Sequence, residues 1–168
     1  MTNKATIGLT NPKSPSNVGA IMRASGCYQV NSVFYTGSRY GFASKFHTDT
    51  KNVSLNIPLS PAESLLDVVP EGASIVCVDL VEGAIPLPEF QHPENAFYIF
   101  GPEDGTIEQS VIDNAANVVY IPTIGCMNLA ATVNVVLYDR LAKAKVSIAS
   151  DDLIRTSRDT NNKVKVRS

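Results

Sequence analysis

The chain has 168 residues, 44% of them apolar and 18% charged, with a mean hydropathy of +0.03. That length suits one ordinary domain, and the composition can bury a core, which excludes a disordered chain or a low-complexity array. The formal charge of −2 and isoelectric point near 5.6 argue, taken whole, against a basic nucleic-acid binder.

The charges are sorted along the chain, however. Residues 1–51 carry six Lys/Arg against Asp49 alone, and residues 52–139 carry twelve Asp/Glu with no Lys or Arg. Residues 140–168 carry eight Lys/Arg against Asp151, Asp152 and Asp159. Two basic ends brought to one side of a fold would make a patch that net charge hides; a solvated tail would merely aid solubility. Cys27, Cys77 and Cys126 are too few and too scattered for a disulfide framework or a metal-binding pair. His47 and His92 lack ligand spacing, so no metal is expected. The N-terminus has no long apolar stretch, and no apolar run reaches the ~18 residues of a membrane span. The expected compartment is the reducing cytoplasm.

In chain order, residues 5–10 read as a strand ended by Asn11-Pro12. A helix over 18–28 follows, capped by Ser16 or Asn17, then a strand over 32–36. Residues 37–58 read as an irregular surface loop carrying Arg39, Lys45, His47 and Lys51. Pro61 suits the first position of a short helix over 61–69. Strands follow at 73–80, 96–100 and 118–121, with a helix over 106–116 between the last two. A final helix over 129–145 begins with LAATVNVVLY, apolar nearly all round. Such a helix must be covered on every face, which points to a subunit interface; the alternative is a helix wedged against the sheet with a small apolar strip exposed. The alternation implies an α/β fold, a mostly parallel sheet flanked by helices. Residues 1–150 form the domain, and 151–168 form a basic tail expected to be partly mobile.

Three stretches place polar groups at strand ends, where open α/β sheets hold their ligands. In the first, Asn17, Gly19 and Arg23 lie at a helix start. Arg23 suits a phosphate or a developing oxyanion, although the segment alone favours Asn17 as a plain cap and Arg23 as a surface charge. In the second, Phe100-Gly101-Pro102-Glu103-Asp104-Gly105-Thr106-Ile107, two glycines let a ligand approach, and two carboxylates near a helix N-terminus favour a neutral or cationic one. It also reads as a capped tight turn. In the third, residues 121–130 run from a strand end to the last helix, with Asn128 as its cap. No histidine is placed to activate Cys126 as a nucleophile.

In this order and spacing, the three stretches resemble the SpoU (TrmH-like) branch of the SPOUT RNA methyltransferases. Asn17, Gly19, Ala20 and Arg23 match the family's Asn-x-Gly-Ala-x-x-Arg. Phe100, Gly101 and Glu103 match its Phe-Gly-x-Glu, and Met127-Asn128-Leu129 match the start of its last helix. The resemblance covers about residues 5–145. It implies a deep C-terminal trefoil knot, a homodimer, and S-adenosylmethionine (AdoMet) bound in the knot. It also implies methyl transfer to a ribose 2′-hydroxyl of tRNA or rRNA. By that resemblance, Val78, Asp79, Leu80, Gly101, Ile121, Cys126, Met127 and Leu129 would line the cofactor pocket. Arg23, Asn17, Glu103 and Asn128 would form the catalytic rim, with Arg23 reaching toward the other subunit's cofactor. The acidic Glu103–Asp104 pair would suit the sulfonium. Cys126 and Ala130 replace serines of the family pattern, and Thr106 stands near an expected glycine. An RNA-binding relative that keeps the fold without catalysis is therefore the alternative. With no second domain, recognition of RNA would fall on the dimer surface and the loop at 37–58.

Overall fold

The computed structural model describes residues 3–44 and 56–167. The strands are β1 (Lys4–Leu9), β2 (Ser32–Tyr35), β3 (Leu59–Pro61), β4 (Ser74–Val78), β5 (Ile85–Pro86), β6 (Asn95–Phe100) and β7 (Asn117–Tyr120). They form one sheet in the order β3-β2-β1-β6-β4-β7-β5, and every neighbouring pair runs parallel. The helices are α1 (Pro15–Cys27), α2 (Arg39–Ser44), α3 (Gln109–Asp113), α4 (Leu129–Ala142) and α5 (Asp151–Ser157).

Strand alternation divides the core. From β6, Ala96, Tyr98 and Phe100 join Ile7 and Leu9 of β1 beneath α1 and α4, which contribute Val18, Ile21, Val133, Val136 and Leu137. Phe97 and Ile99 point to the other face, with Leu65, Cys77 and Ile107. A sheet buried on both faces explains the near-continuous apolar run of β6.

Several boundaries differ from the sequence expectation. Helix α1 starts three residues earlier: Ser14, not Ser16 or Asn17, is its cap, with Pro15 in the first turn and the Ser14 hydroxyl accepting from Asn17 N at 3.2 Å. Pro61 ends the short strand β3 rather than opening a helix. The missing proline donor is tolerated because β3 is an edge, and the helical piece is a 3-10 turn over Leu65–Val68 capped by Ser64. The expected loop over 37–58 contains α2; Lys45, His47 and Lys51 lie outside the described residues. Helix α3 is shorter than expected because Asp79 Oδ2 accepts from Ile107 N at 2.9 Å and holds its approach as a loop. Strand β4 stops at Val78, where the Asp79 side chain turns back to accept from Leu80 N at 2.8 Å. The tail contains α5, whose residues are all exposed. Among the described residues no helix is long and apolar enough to cross a membrane.

Beyond the start of the sheet, the C-terminal end of α4 is fixed by a buried polar cluster. Arg140 donates to the carbonyls of Pro93 (2.7 Å), Glu94 (2.9 Å) and Lys4 (3.1 Å), to Tyr98 Oη (2.9 Å) and to Asn3 Oδ1. His92 lies between Tyr98 Oη and Asp139 Oδ2, at 2.7 Å from each. A carboxylate only accepts, so Nε2–H donates to Asp139 and Nδ1 accepts from the Tyr98 hydroxyl. This arrangement satisfies a neutral imidazole. Burial lowers the His92 pKa, and Asp139 opposes that shift only in part. Burial likewise pushes the Tyr98 hydroxyl up to about 12.

Because His92 stays neutral in the folded chain where the unfolded chain takes up a proton, its contribution is fully present above its ordinary value of 6.5 and declines below it. Urea unfolding between pH 8 and 5.5 should show stability falling with pH in the wild type. The fall should be shallower in His92→Gln, which keeps a donor and an acceptor but cannot titrate.

Candidate active site

The loops after β1, β4, β6 and β7 converge at the C-terminal edge of the sheet, where insertion of β6 between β1 and β4 breaks the sequential strand order. They enclose a cavity of about 360 Å³, the scale of a small-molecule site. All eight residues of the expected cofactor set line it: Val78, Asp79, Leu80, Gly101, Ile121, Cys126, Met127 and Leu129. So do Asn17, Glu103 and Asn128 from the expected rim.

Those three polar side chains form a chain across the cavity edge. Asn128 Nδ2 donates to Asn17 Oδ1 at 3.1 Å, and Asn17 Nδ2 donates to Glu103 Oε1 at 3.2 Å. Glu103 also accepts from the backbone N–H groups of Lys13 (2.9 Å) and Ser14 (3.4 Å). Its carboxylate is thus committed to holding the β1–α1 turn. Asn128 also caps α4, its Oδ1 accepting from Ala131 N at 3.1 Å.

Two expectations about charge need correction. The carboxylates do not sit at a helix N-terminus, because α3 begins only at Gln109. Nor is Asp104 free to face a cation in the cavity. It accepts from Arg39 Nη1 and Nη2 at 2.8 and 3.0 Å, with Lys13 Nζ 3.8 Å away. The hydrogen bond from Arg39 holds the Asp104 carboxyl below its ordinary value, and Asp104 in turn raises the Arg39 guanidinium.

Arg23 stands apart. It lies exposed on α1, does not line the cavity, and has no hydrogen bond or ion pair among the described residues. Sequence reasoning missed Thr132, which also lines the cavity and whose hydroxyl donates to the Asn128 carbonyl at 2.9 Å. The spacing of four from Asn128 on one helix was the available signal. Cys126 is exposed at the cavity wall, while Cys77 is buried, its thiol pushed up to about 12 by desolvation.

An α/β domain with a parallel sheet and a cavity at its strand-order switch belongs to the class that binds small ligands at strand ends. The model of the SpoU rRNA Methylase family matches residues 4–138, and the chain belongs to that family. No curated protein is significantly similar to it in sequence. Among solved structures, it is similar to an AdoMet-bound rRNA methyltransferase from Sinorhizobium meliloti, with 16% identity, TM-score 0.69, and coverage of 84% of this chain and 57% of that one. A TrmH/SpoU tRNA modifying enzyme from A. aeolicus gives 17%, 0.67, and coverage of 83% and 74%. A protein described for 2-OH methylation on tRNA gives 20%, 0.66, and coverage of 82% and 94%. The chain thus spans little more than half of the Sinorhizobium protein but nearly all of the last. At these identities the likeness is one of fold.

Gly101 offers a test of the cavity wall. A Cβ there would lie 2.7 Å from Asp79 Oδ2, which is held by Ile107 N, so Gly101→Ala must displace that carboxylate. The expected cost is about 1–3 kcal/mol in urea unfolding. Gly26→Ala, at a helical position where a Cβ meets nothing within 4 Å, should instead be neutral or stabilising.

Proposed function

We propose that this chain is an AdoMet-dependent methyltransferase acting on a ribose 2′-hydroxyl of tRNA or rRNA, and that it works as a homodimer. The observation that carries the reading is the cavity at the strand ends, edged by the Glu103–Asn17–Asn128 chain. Membership of the SpoU rRNA Methylase family supports RNA as the substrate. The similar protein described for 2-OH methylation on tRNA supports the 2′-hydroxyl.

The residues present fit the cofactor. Gly101 leaves its backbone open where any side chain would press on Asp79, and the loop over 121–129 offers main-chain groups beside apolar Ile121, Met127 and Leu129. Such a surface suits an adenine edge. When bound, AdoMet supplies an electrophilic methyl group on a sulfonium. The Asn17 and Asn128 amides stand at the edge to orient a hydroxyl, while Glu103 fixes their turn. Binding and orientation provide much of the rate in such a transfer. A guanidinium is a poor proton acceptor in water, so Arg23 serves as a clamp for phosphate and developing alkoxide.

Arg23 is exposed and partnerless among the described residues, which favours its use in a neighbouring copy's site. The outer stripe of α4 supports that dimer: Val135, Tyr138 and Leu141 remain exposed on a helix whose other side packs with α1 on the sheet. A two-fold interface there would cover the apolar stripe in both copies at once. The connections around the cavity would carry the family's trefoil knot. Residues 1–150 would form the methyltransferase unit, with 151–168 as a basic tail on RNA. The free thiols of Cys27 and Cys126 fit a cytoplasmic setting.

Calorimetry should detect AdoMet binding to the wild type, and tritiated methyl should pass to bulk tRNA or rRNA. Arg23→Ala should keep the AdoMet affinity and lose about 100-fold or more in transfer. Failure to bind AdoMet would sink the reading; binding without transfer to any RNA would favour the non-catalytic alternative raised by Cys126 and Ala130. In sedimentation, the wild type should run as a dimer and Tyr138→Glu as a monomer with little transfer activity.

A further inference from the structure

We propose that Arg39, which lies outside all three motifs, is a positioning residue for the catalytic rim rather than an RNA contact. The proposal rests on the functional reading above and deepens it. Arg39 opens α2, directly after the turn that follows β2. Its guanidinium spans two other loops. Nε and Nη2 donate to the Asn11 carbonyl at 3.2 and 2.5 Å, while Nη1 and Nη2 donate to Asp104 at 2.8 and 3.0 Å. One planar fork thereby fastens the loop after β1 to the loop after β6.

The loop after β1 is built to receive that fork. Asn11 has a φ of +41°, a left-handed conformation available to asparagine, and its N–H donates to Thr36 Oγ1 at 3.1 Å. The Asn11 side chain lies so close over Gly37 that a Cβ on Gly37 would fall 2.0 Å from Asn11 Oδ1. Gly37 itself has a φ of +79°. Two turns thus interlock tightly enough to exclude a side chain, and the Asn11 carbonyl is delivered to Arg39.

The circuit then closes on the rim. Asp104 is held by Arg39; its neighbour Glu103 accepts from Lys13 N, Ser14 N and Asn17 Nδ2, and Asn17 accepts from Asn128. Loss of Arg39 leaves the Asn11–Asn17 and Gly101–Asp104 segments tied to each other through Glu103 and the longer, exposed Lys13–Asp104 ion pair of 3.8 Å. The rim amides lose fixed orientation, while the far cavity wall, made by residues 121–129 and by Asp79 with its Ile107 bond, keeps its own supports. Arg39 should therefore affect turnover more than cofactor affinity. A lysine keeps the charge but cannot span both acceptors as a fork does.

The test compares full-length wild type, Arg39→Lys and Arg39→Met. It measures amide hydrogen exchange by mass spectrometry, AdoMet affinity by calorimetry, and steady-state methyl transfer to RNA. Arg39→Met should exchange at least tenfold faster over residues 11–17 and 101–105, with α4 unchanged beyond its first turn. Its kcat should fall tenfold or more, with the AdoMet Kd and the KM for RNA within twofold of wild type. Arg39→Lys should recover part of kcat. Unchanged exchange in Arg39→Met would overturn the proposal whatever the activity. So would a loss confined to the KM for RNA with a reduced salt slope, because that is the signature of a phosphate contact. A wild type that neither binds AdoMet nor transfers methyl would overturn the functional reading, and the exchange comparison would still decide the role of Arg39.

Discussion

The site depends on where one carboxylate spends its hydrogen bonds. Glu103 reaches from the loop after β6 to the turn after β1 and accepts there from two backbone N–H groups and the Asn17 amide. The two strands are already neighbours through a ladder from Lys4–Asn95 to Leu9–Phe100. Backbone pairing brings the loops near each other, and Glu103 sets their relative orientation. Asn17 is then fixed at both ends of its amide, and Asn128 joins it to the start of α4. A polar site assembled this way is rigid before any ligand arrives, which is the condition under which orientation contributes to rate.

Charge is distributed differently in three dimensions than along the sequence. The basic first third and last sixth suggested cations free for RNA, yet several are consumed within the fold. Arg39 and Lys13 pair with Asp104, while Arg140 is buried among carbonyls and Lys143 binds Asp139 and the carbonyls of Leu87 and Phe90. The exposed cations left at the C-terminal end are concentrated in the tail, where Lys163, Lys165 and Arg167 have no acidic partner among the described residues. The acidic middle is similarly spent: Glu103, Asp79 and Asp139 each anchor a loop or helix end. Any basic patch must therefore be drawn from fewer residues than the charge count implied.

The strands of the central sheet were legible in the sequence because buried parallel strands are dense in β-branched and aromatic residues, as in β6 and β7. Many cavity-lining residues were legible because three motifs fall on strand ends; Val78, Asp79 and Leu80 came from the family resemblance alone, and Thr132 was missed. Short edge strands such as β3 and β5 were not, since two or three residues with a proline carry no periodic signal. The start of α1 was misplaced because Ser14, Ser16 and Asn17 are all good caps, and only Pro15 in the first turn decides among them. Backbone donors such as Lys13 N and Ile107 N leave no trace in side-chain identity, so the commitment of Glu103 and Asp79 could not be read. The role of Arg39 was hidden in part for the same reason: one of its two acceptors is a carbonyl.

In the proposed function, the polar rim, the apolar cavity wall and the exposed Arg23 would be complementary parts of one device, holding a methyl donor on one side and orienting a ribose on the other. The most direct test is nucleoside mass spectrometry of unmodified tRNA and rRNA after incubation with the wild-type protein and isotopically labelled AdoMet. Label is expected in a 2′-O-methylated nucleoside at a discrete position, and its rate of incorporation is expected to fall about 100-fold or more with Arg23→Ala. Label on a base, or none in any RNA from a protein that binds AdoMet, would contradict this mechanism.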